Sequence, residues 1–294
     1  MITRFDHAVI AVRDLDQALR LYRDVLGLDA RPGGRHTGLG THNGIVRFGL
    51  DYLELLAVAD RAEAEASGPT SAALVDYLTR REGGLVGYCL ATDAIDHLAT
   101  QMRQAGLEAV GPFAMQRARP DGRVLTWQLL VPSGMAWQRP WPFMIQWGIP
   151  DQERLTWEQP GQHSLGVMGV RGVAVVVRDL DIARNLYGRQ LGLTLVSEEA
   201  VPELAARRAR FGLGSFVIDL LTPSGVGPVQ TQLDTLDEGP LQVMLRVQDL
   251  QQARAWLERS GVVLERAPGT PQGWLVPPDR ALGARLVLVE TGKF

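Results

Sequence analysis

Apolar and polar residues alternate from Phe5 to Val12, which predicts a strand with Phe5, His7, Val9 and Ala11 on one face and Asp6, Ala8, Ile10 and Val12 on the other. Leu15, Ala18, Tyr22 and Val25 then fall at helical spacing, with Asp14 placed to cap the first turn and Gly27 to end the helix. Strands are expected around 30–35, 43–48 and 51–56, and the short gap Gly49-Leu50-Asp51 suits a hairpin between the last two. The stretch 5–58 therefore reads β-α-β-β-β. Residues 70–81 carry Leu74, Tyr77 and Leu78 at helical spacing and are expected to form a connecting helix packed on the outside.

The same order then restarts, with a strand at 85–91, a helix at 93–105 and strands at 108–115, 124–131 and 142–147. Residues 149–166 are rich in polar residues, Pro and Gly and read as a linker. Beyond it, residues 178–193 match residues 13–28 at 10 of 16 positions without a gap, which marks an internal duplication. A more divergent fourth copy begins at Leu241, with Asp249 as cap, Leu250, Ala253, Trp256 and Leu257 as its helical stripe, and strands near Val263, Trp274 and 285–289. The expected architecture is α+β. Modules 5–58 and 85–148 form an N-terminal lobe (1–148), 149–166 link it, and modules 167–224 and 240–294 form a C-terminal lobe (167–294).

Composition narrows the classes of function. At 294 residues, 46% apolar and 21% charged, the chain has material for two cores, and its net charge of −3 with dispersed basic residues gives no reason to expect nucleic acid or an anionic membrane as partner. No apolar run approaches the roughly 20 residues that span a bilayer, and Met1 to Arg4 start no secretory signal, so a cytoplasmic protein is the simplest expectation. The single cysteine, Cys89, lies in an apolar run and is expected to be a buried, inert thiol.

Candidate chemistry is concentrated in the first module, the only one whose opening strand carries a histidine. His7 and Glu54 each sit among apolar strand neighbours, and a buried carboxylate is in practice paired, hydrogen-bonded, protonated or metal-bound. The glycine-rich stretch 33–43 carries His36 and His42, suited either to metal ligation or general acid-base catalysis, or only to hydrogen bonds within a turn. Thr41 and Asn43 can hydrogen-bond a substrate oxygen. Arg35 and Arg47 either pair with a substrate carboxylate or phosphate or are solvated surface charges. Trp127, Trp137, Trp141 and Trp147 fall within 21 residues and suit a small-molecule pocket, core packing or a lobe interface equally well.

Asp6-His7-Ala8-Val9, Arg13-Asp14-Leu15-Asp16, Leu26-Gly27-Leu28 and Tyr52-Leu53-Glu54-Leu55, in that order, resemble the vicinal oxygen chelate superfamily, which includes glyoxalase I, extradiol dioxygenases, bleomycin-resistance proteins and methylmalonyl-CoA epimerase. The loop 33–43 and Pro142-Phe143-Met144-Ile145-Gln146-Trp147 are similar to the glyoxalase-like-domain proteins within it. The resemblance implies paired βαβββ modules curled into half-open barrels, with a divalent metal (Zn, Ni, Fe or Mn) on the concave face and ligands from the first and last strands. Here these are His7 and Glu54, with Gln146 aligned on Glu54 in the second module. Val86 stands where that module would carry a second histidine, a departure from the pattern.

The function implied is a metal-dependent lyase, isomerase or dioxygenase acting on a small oxygenated molecule. His36 and His42 are its catalytic candidates, and Arg35, Thr41, Asn43, Arg47, Trp127 and Trp147 are its substrate-binding candidates. The alternative is a metal-free ligand-binding protein of the bleomycin-resistance type. Gly172, Asp219 and Gln242 stand at the matching C-terminal positions, so that lobe is expected to be structural or an interface, including that of a homodimer.

Overall fold

The computed structural model describes residues 1–118 and 122–290. In the first half, β1 (Ile2–Val12), α1 (Leu15–Arg20), β2 (Ala30–His36), β3 (Thr41–Arg47) and β4 (Tyr52–Val58) form one module. Two connecting helices, α2 (Arg61–Ala66) and α3 (Pro69–Arg80), lead to β5 (Gly83–Thr92), α4 (Ile95–Gln104), β6 (Ala109–Ala118), β7 (Val124–Pro132) and β8 (Phe143–Trp147). A short helix, α5 (Asp151–Arg154), precedes the second half: β9 (Val167–Val176), α6 (Leu180–Asn185), β10 (Thr194–Val201), β11 (Ala206–Leu213), β12 (Phe216–Pro223), α7 (Pro228–Leu236), β13 (Gly239–Val247), α8 (Leu250–Arg259), β14 (Glu265–Arg266), β15 (Trp274–Val276) and β16 (Leu286–Glu290).

Each half builds one eight-stranded mixed sheet, in the orders β2-β3-β4-β1-β5-β8-β7-β6 and β10-β11-β12-β9-β13-β16-β15-β14. Consecutive modules therefore pair with each other, through antiparallel β1·β5 and β9·β13. The sheet of the first half curls far enough for its end strands β2 and β6 to touch. The fold is the expected α+β arrangement of four βαβββ modules in two half-open lobes.

Duplication extends to local detail. Asp14 accepts from Gln17 N–H and Asp179 accepts from Ile182 N–H at the starts of α1 and α6, each bond 2.9 Å long. Both helices run into a five-residue π-turn, Leu21–Val25 and Leu186–Gln190. The repeated tyrosine does the same work twice, since Tyr22 donates to Ala281 O and Tyr187 to Pro140 O, each a carbonyl of the opposite lobe. Gly27 follows the first π-turn at φ 66°, and a side chain there would collide with Trp256. The lobes share a continuous apolar core in which Phe5 stacks on Phe216 at 4.4 Å.

Two expectations about packing change. Helix α3 is not on the outside: Leu74 and Leu78 pack with Val9, Ala11, Val86 and Cys89 on the inner face of the first sheet, where an apolar floor needs a cover. The segment 149–166 is more than a polar connector, because Arg154 is fully buried and Glu158 nearly so. Among the described residues no helix is long and apolar enough to cross a membrane.

Candidate functional site

The inner face of the first sheet gathers His7 from β1, Glu54 from β4, Asn43 from β3 and His36 from β2. His7 Nε2 lies 3.7 Å from Glu54 Oε2, and His36 Nε2 lies 3.7 Å from Glu54 Oε1. Both separations exceed a hydrogen bond. The two contacts reach opposite oxygens of Glu54, so the carboxylate stands between the two histidines.

The other nitrogen of His7 fixes which face it presents. Nδ1 lies 2.7 Å from Asp6 Oδ1, so Nδ1–H donates to that carboxylate and the Nε2 lone pair points toward Glu54. The ring is held flat against Tyr52 at 4.6 Å and edge-on to Phe143 at 5.4 Å. Asp6 is itself fully buried and accepts from Trp147 Nε1 at 2.9 Å and Arg4 at 2.7 Å. Burial alone would raise its pKa, but the His7 hydrogen bond and the Arg4 charge outweigh it and hold the carboxyl well below the usual range. Arg154 lies over the Trp147 ring at 3.6 Å and pairs with Glu158, which also pairs with Arg47 at 3.0 Å.

Asn43 ties the rest together. Its Nδ2 donates to Glu54 Oε1 at 2.6 Å and lies 3.3 Å from His36 Nε2, while Arg117 donates to its Oδ1 at 3.3 Å. His36 Nε2 accepts from Asn43 Nδ2, which places the ring proton on Nδ1, where it donates to the Thr41 hydroxyl at 2.9 Å. Burial lowers the His36 pKa against the raising effect of Glu54, with Arg117 adding to the lowering, and the ring is neutral at pH 7. Gly33 makes room for Asn43, because a Cβ there would fall 2.2 Å from Asn43 Oδ1.

Among the described residues, Asp6, His7 and Cys89 place ligand-type atoms all within 4.8 Å of one another, whereas His7, Glu54 and His36 do not. The chemistry of the first trio is less suited to a cation than the Nε2 side of His7. Burial, with Asp6 adding to it, pushes the Cys89 thiol up, and Asp6 is already committed to His7, Trp147 and Arg4.

The structure separates the remaining candidates. Strand β3 starts at Thr41, so alternation turns His42 to the opposite face, where Asp16 of α1 acts on it. Gln146 alternates outward in the same way, and its Oε1 accepts from Ile95 N–H at the start of α4 at 2.8 Å. Neither joins His7 and Glu54. Arg35 is exposed and pairs with Glu63 of α2. Arg47 is half-buried one layer back, over the Tyr52 ring. Trp127 and Trp147 line an open cavity of about 480 Å³ with Met115, Gln128 and Gln146. Trp137 and Trp141 instead donate to Thr70 O and Pro132 O.

Two residues of the site lie outside the sequence-based set. Alternation puts Asp6 on the face opposite His7, but a register shift between Phe5 and His7 in β1·β5 breaks the pattern, and Phe5 packs with Ala8 and Ile10 instead. Arg117 arrives from β6 only because the sheet curls. The adjacency of Asp6 and His7 was a usable signal; nothing local marks Arg117.

A family model described as a glyoxalase-like domain matches residues 5–178, and one described as the glyoxalase/bleomycin resistance protein/dioxygenase superfamily matches residues 172–276. No curated protein matches the chain significantly. Among solved structures, a hypothetical protein from Staphylococcus aureus is similar, with a TM-score of 0.67 and 18% identity over 97% of this chain and 98% of that one. A mutant 4-hydroxymandelate synthase from Streptomyces coelicolor also gives 0.67, at 16% identity over 100% of this chain and 94% of that one. A methylmalonyl-CoA epimerase from Mycobacterium tuberculosis is 28% identical over 44% of this chain and 91% of its own, with a TM-score of 0.40. The two full-length likenesses extend over both lobes and concern the fold. With a family model covering more than half of its residues, the chain belongs to the glyoxalase-like domain family of the vicinal oxygen chelate superfamily.

Proposed function

We propose that the N-terminal lobe is a metal-dependent enzyme site of the vicinal oxygen chelate type, acting on a small oxygenated molecule as an isomerase, lyase or dioxygenase. The observation that carries this reading is the division of labour on His7: Nδ1 is tied to buried Asp6 and Nε2 is aimed at Glu54 from 3.7 Å. A histidine that donates one N–H to a carboxylate is oriented to ligate through the other nitrogen. This reading assigns His7 Nε2 and Glu54 to a divalent cation as its protein ligands, with substrate oxygens and water to complete the shell. When bound, such an ion supplies a Lewis acid that polarises adjacent substrate oxygens. Tyr52, Phe143 and Ile45 wall the donors with apolar surface, which excludes water and strengthens each electrostatic contact. Thr41 and Asn43 hold His36 in the tautomer with its proton on Nδ1, with Nε2 accepting from Asn43 Nδ2.

The test is the metal content of protein purified without chelator, compared with His7→Ala/Glu54→Ala. Bound Mn, Fe, Ni, Co or Zn near one equivalent that disappears in the double variant supports the reading. A wild type that holds no metal and gains none on titration sinks it.

A second reading, a metal-free ligand-binding protein, is favoured by the 2.6 Å bond from Asn43 to Glu54, which gives the carboxylate a partner without any ion. In that case the cavity at Trp127 and Trp147 carries the binding.

A further inference from the structure

We infer that the C-terminal lobe has a ligand site of its own, on the sheet face that carries Asp219, for a small anion that also bears a hydroxyl, such as an α-hydroxycarboxylate. The anionic group would sit on Arg285 and the hydroxyl on Gln242. The site is separate from the one proposed in the N-terminal lobe and needs no metal there.

The first observation is a polar row on an otherwise apolar face. Register sets Asp219, Ala174 and Gln242 side by side on β12, β9 and β13, and the pairing of Val243 with Leu286 makes Arg285, just before β16, the neighbour of Gln242. Val217, Met244 and Val287, each two residues from a member of the row, pack in one apolar cluster. Ala174 and Leu221 pack in another. The row therefore runs between two apolar layers.

The second is that two neighbours in this row have unmet hydrogen-bonding capacity. Gln242 is 3% exposed, and among the described residues its buried Oε1 has no partner. Arg285 is half-buried, and its Nε, on the buried side, has none either. Asp219 is no substitute, because Arg210 holds both of its oxygens. Burial lowers the Arg285 pKa, and Glu265 of β14 offsets this only in part. Leaving a buried acceptor and a buried charged donor unmet is costly. A carboxylate on the Nε–Nη edge and a hydroxyl on the amide oxygen satisfy both. Adjacent strands lie ~4.8 Å apart, which suits a molecule carrying the two groups on neighbouring carbons.

The third is what the N-terminal lobe has at the same place. Val9 pairs with Gly87 as Ala174 pairs with Gln242, and the register of β5 with β8 sets Trp141 where the second lobe has Arg285. The Trp137 ring covers Gly87, 2.9 Å from where a Cβ would stand. Trp137 and Trp141 donate their ring N–H groups to Thr70 O and Pro132 O. One lobe thus fills this place with satisfied indoles, and the other puts there an amide and a guanidinium with unpaired atoms.

The experiment is calorimetric titration of glycolate, acetate and glycolamide into the protein before and after EDTA treatment, for wild type, Arg285→Met, Arg285→Lys and Gln242→Met. Thermal melting checks folding. The expected result is glycolate binding that survives EDTA, is about 10-fold or more weaker in Arg285→Met, and is partly restored in Arg285→Lys. Acetate, which lacks the hydroxyl, and glycolamide, which lacks the charge, should each bind more weakly than glycolate, and Gln242→Met should lower glycolate to the affinity of acetate. Glycolate binding that disappears with EDTA requires a metal and overturns the inference, as does an affinity unchanged in Arg285→Met. Equal affinities for glycolate and acetate in wild type overturn the role of Gln242. Absence of glycolate binding in every form overturns the inference and leaves water as the partner of both groups.

Discussion

The two lobes place a buried carboxylate at the same ladder position and treat it in opposite ways. Glu54 pairs with Val9 on β1 and Ile45 on β3; Asp219 pairs with Ala174 on β9 and Arg210 on β11. The same register sets His7 against Gly172, His36 against Val201 and Asn43 against Arg208. In the C-terminal lobe Arg210 grips both oxygens of Asp219, at 2.7 and 2.8 Å, and Arg208 approaches at 3.4 Å. No second histidine fits there, since even a Cβ on Gly172 would fall 2.6 Å from Val217 O and 2.7 Å from Met244. A guanidinium bound to the chain thus occupies the role that the N-terminal lobe leaves to an amide and two imidazoles. One carboxylate is locked, and the other keeps oxygens within reach of a cation.

The strongest way to break this comparison is to remove the lock. Arg210→Met strands Asp219 in the interior with Arg208 alone, and the expected loss is about 3 kcal/mol in urea unfolding. Glu54→Gln keeps a polar group beside Asn43 and should cost only about 1 kcal/mol while abolishing uptake of a divalent ion. Equal losses in the two variants would mean that both carboxylates are structural.

A smaller effect sharpens the N-terminal side. Asp6→Asn is close to isosteric, and Arg4 keeps its pairing with Asp151. Its amide can donate to His7 Nδ1, however, which moves the ring proton to Nε2 and removes the lone pair from the site. Divalent-ion affinity should fall about 10- to 100-fold. An unchanged affinity by calorimetry would show that Asp6 does not set the tautomer of His7.

Regular features of this fold were legible in the sequence. Strand alternation, aspartate caps and the 13–28/178–193 repeat specify the modules, and His7 and Glu54 follow from position within them. What escaped depends on departures from regularity or on distance. The bulge beside Asp6 reverses one step of alternation; two early residues of β3, read as loop, hide that His42 faces α1; and Gln146 serves a helix start that is remote in sequence. Arg117 reaches Asn43 through closure of an eight-stranded sheet, which no local pattern encodes.

The smallest expected effect concerns Gly33, where the structure predicts a site residue that makes no chemical contact of its own. Its Cβ position is 2.2 Å from Asn43 Oδ1 and 2.9 Å from Ile45 Cγ1, so Gly33→Ala forces the Asn43 amide to rotate. Gly33 lies within β2, an end strand of the sheet, so the backbone can yield, and stability should drop by only about 1 kcal/mol. The Asn43 bonds to Glu54 and Arg117 would loosen together, because one amide holds both. Gly33→Ala should therefore weaken divalent-ion binding a few-fold by calorimetry. An unchanged affinity would show that Asn43 does not position the carboxylate of Glu54.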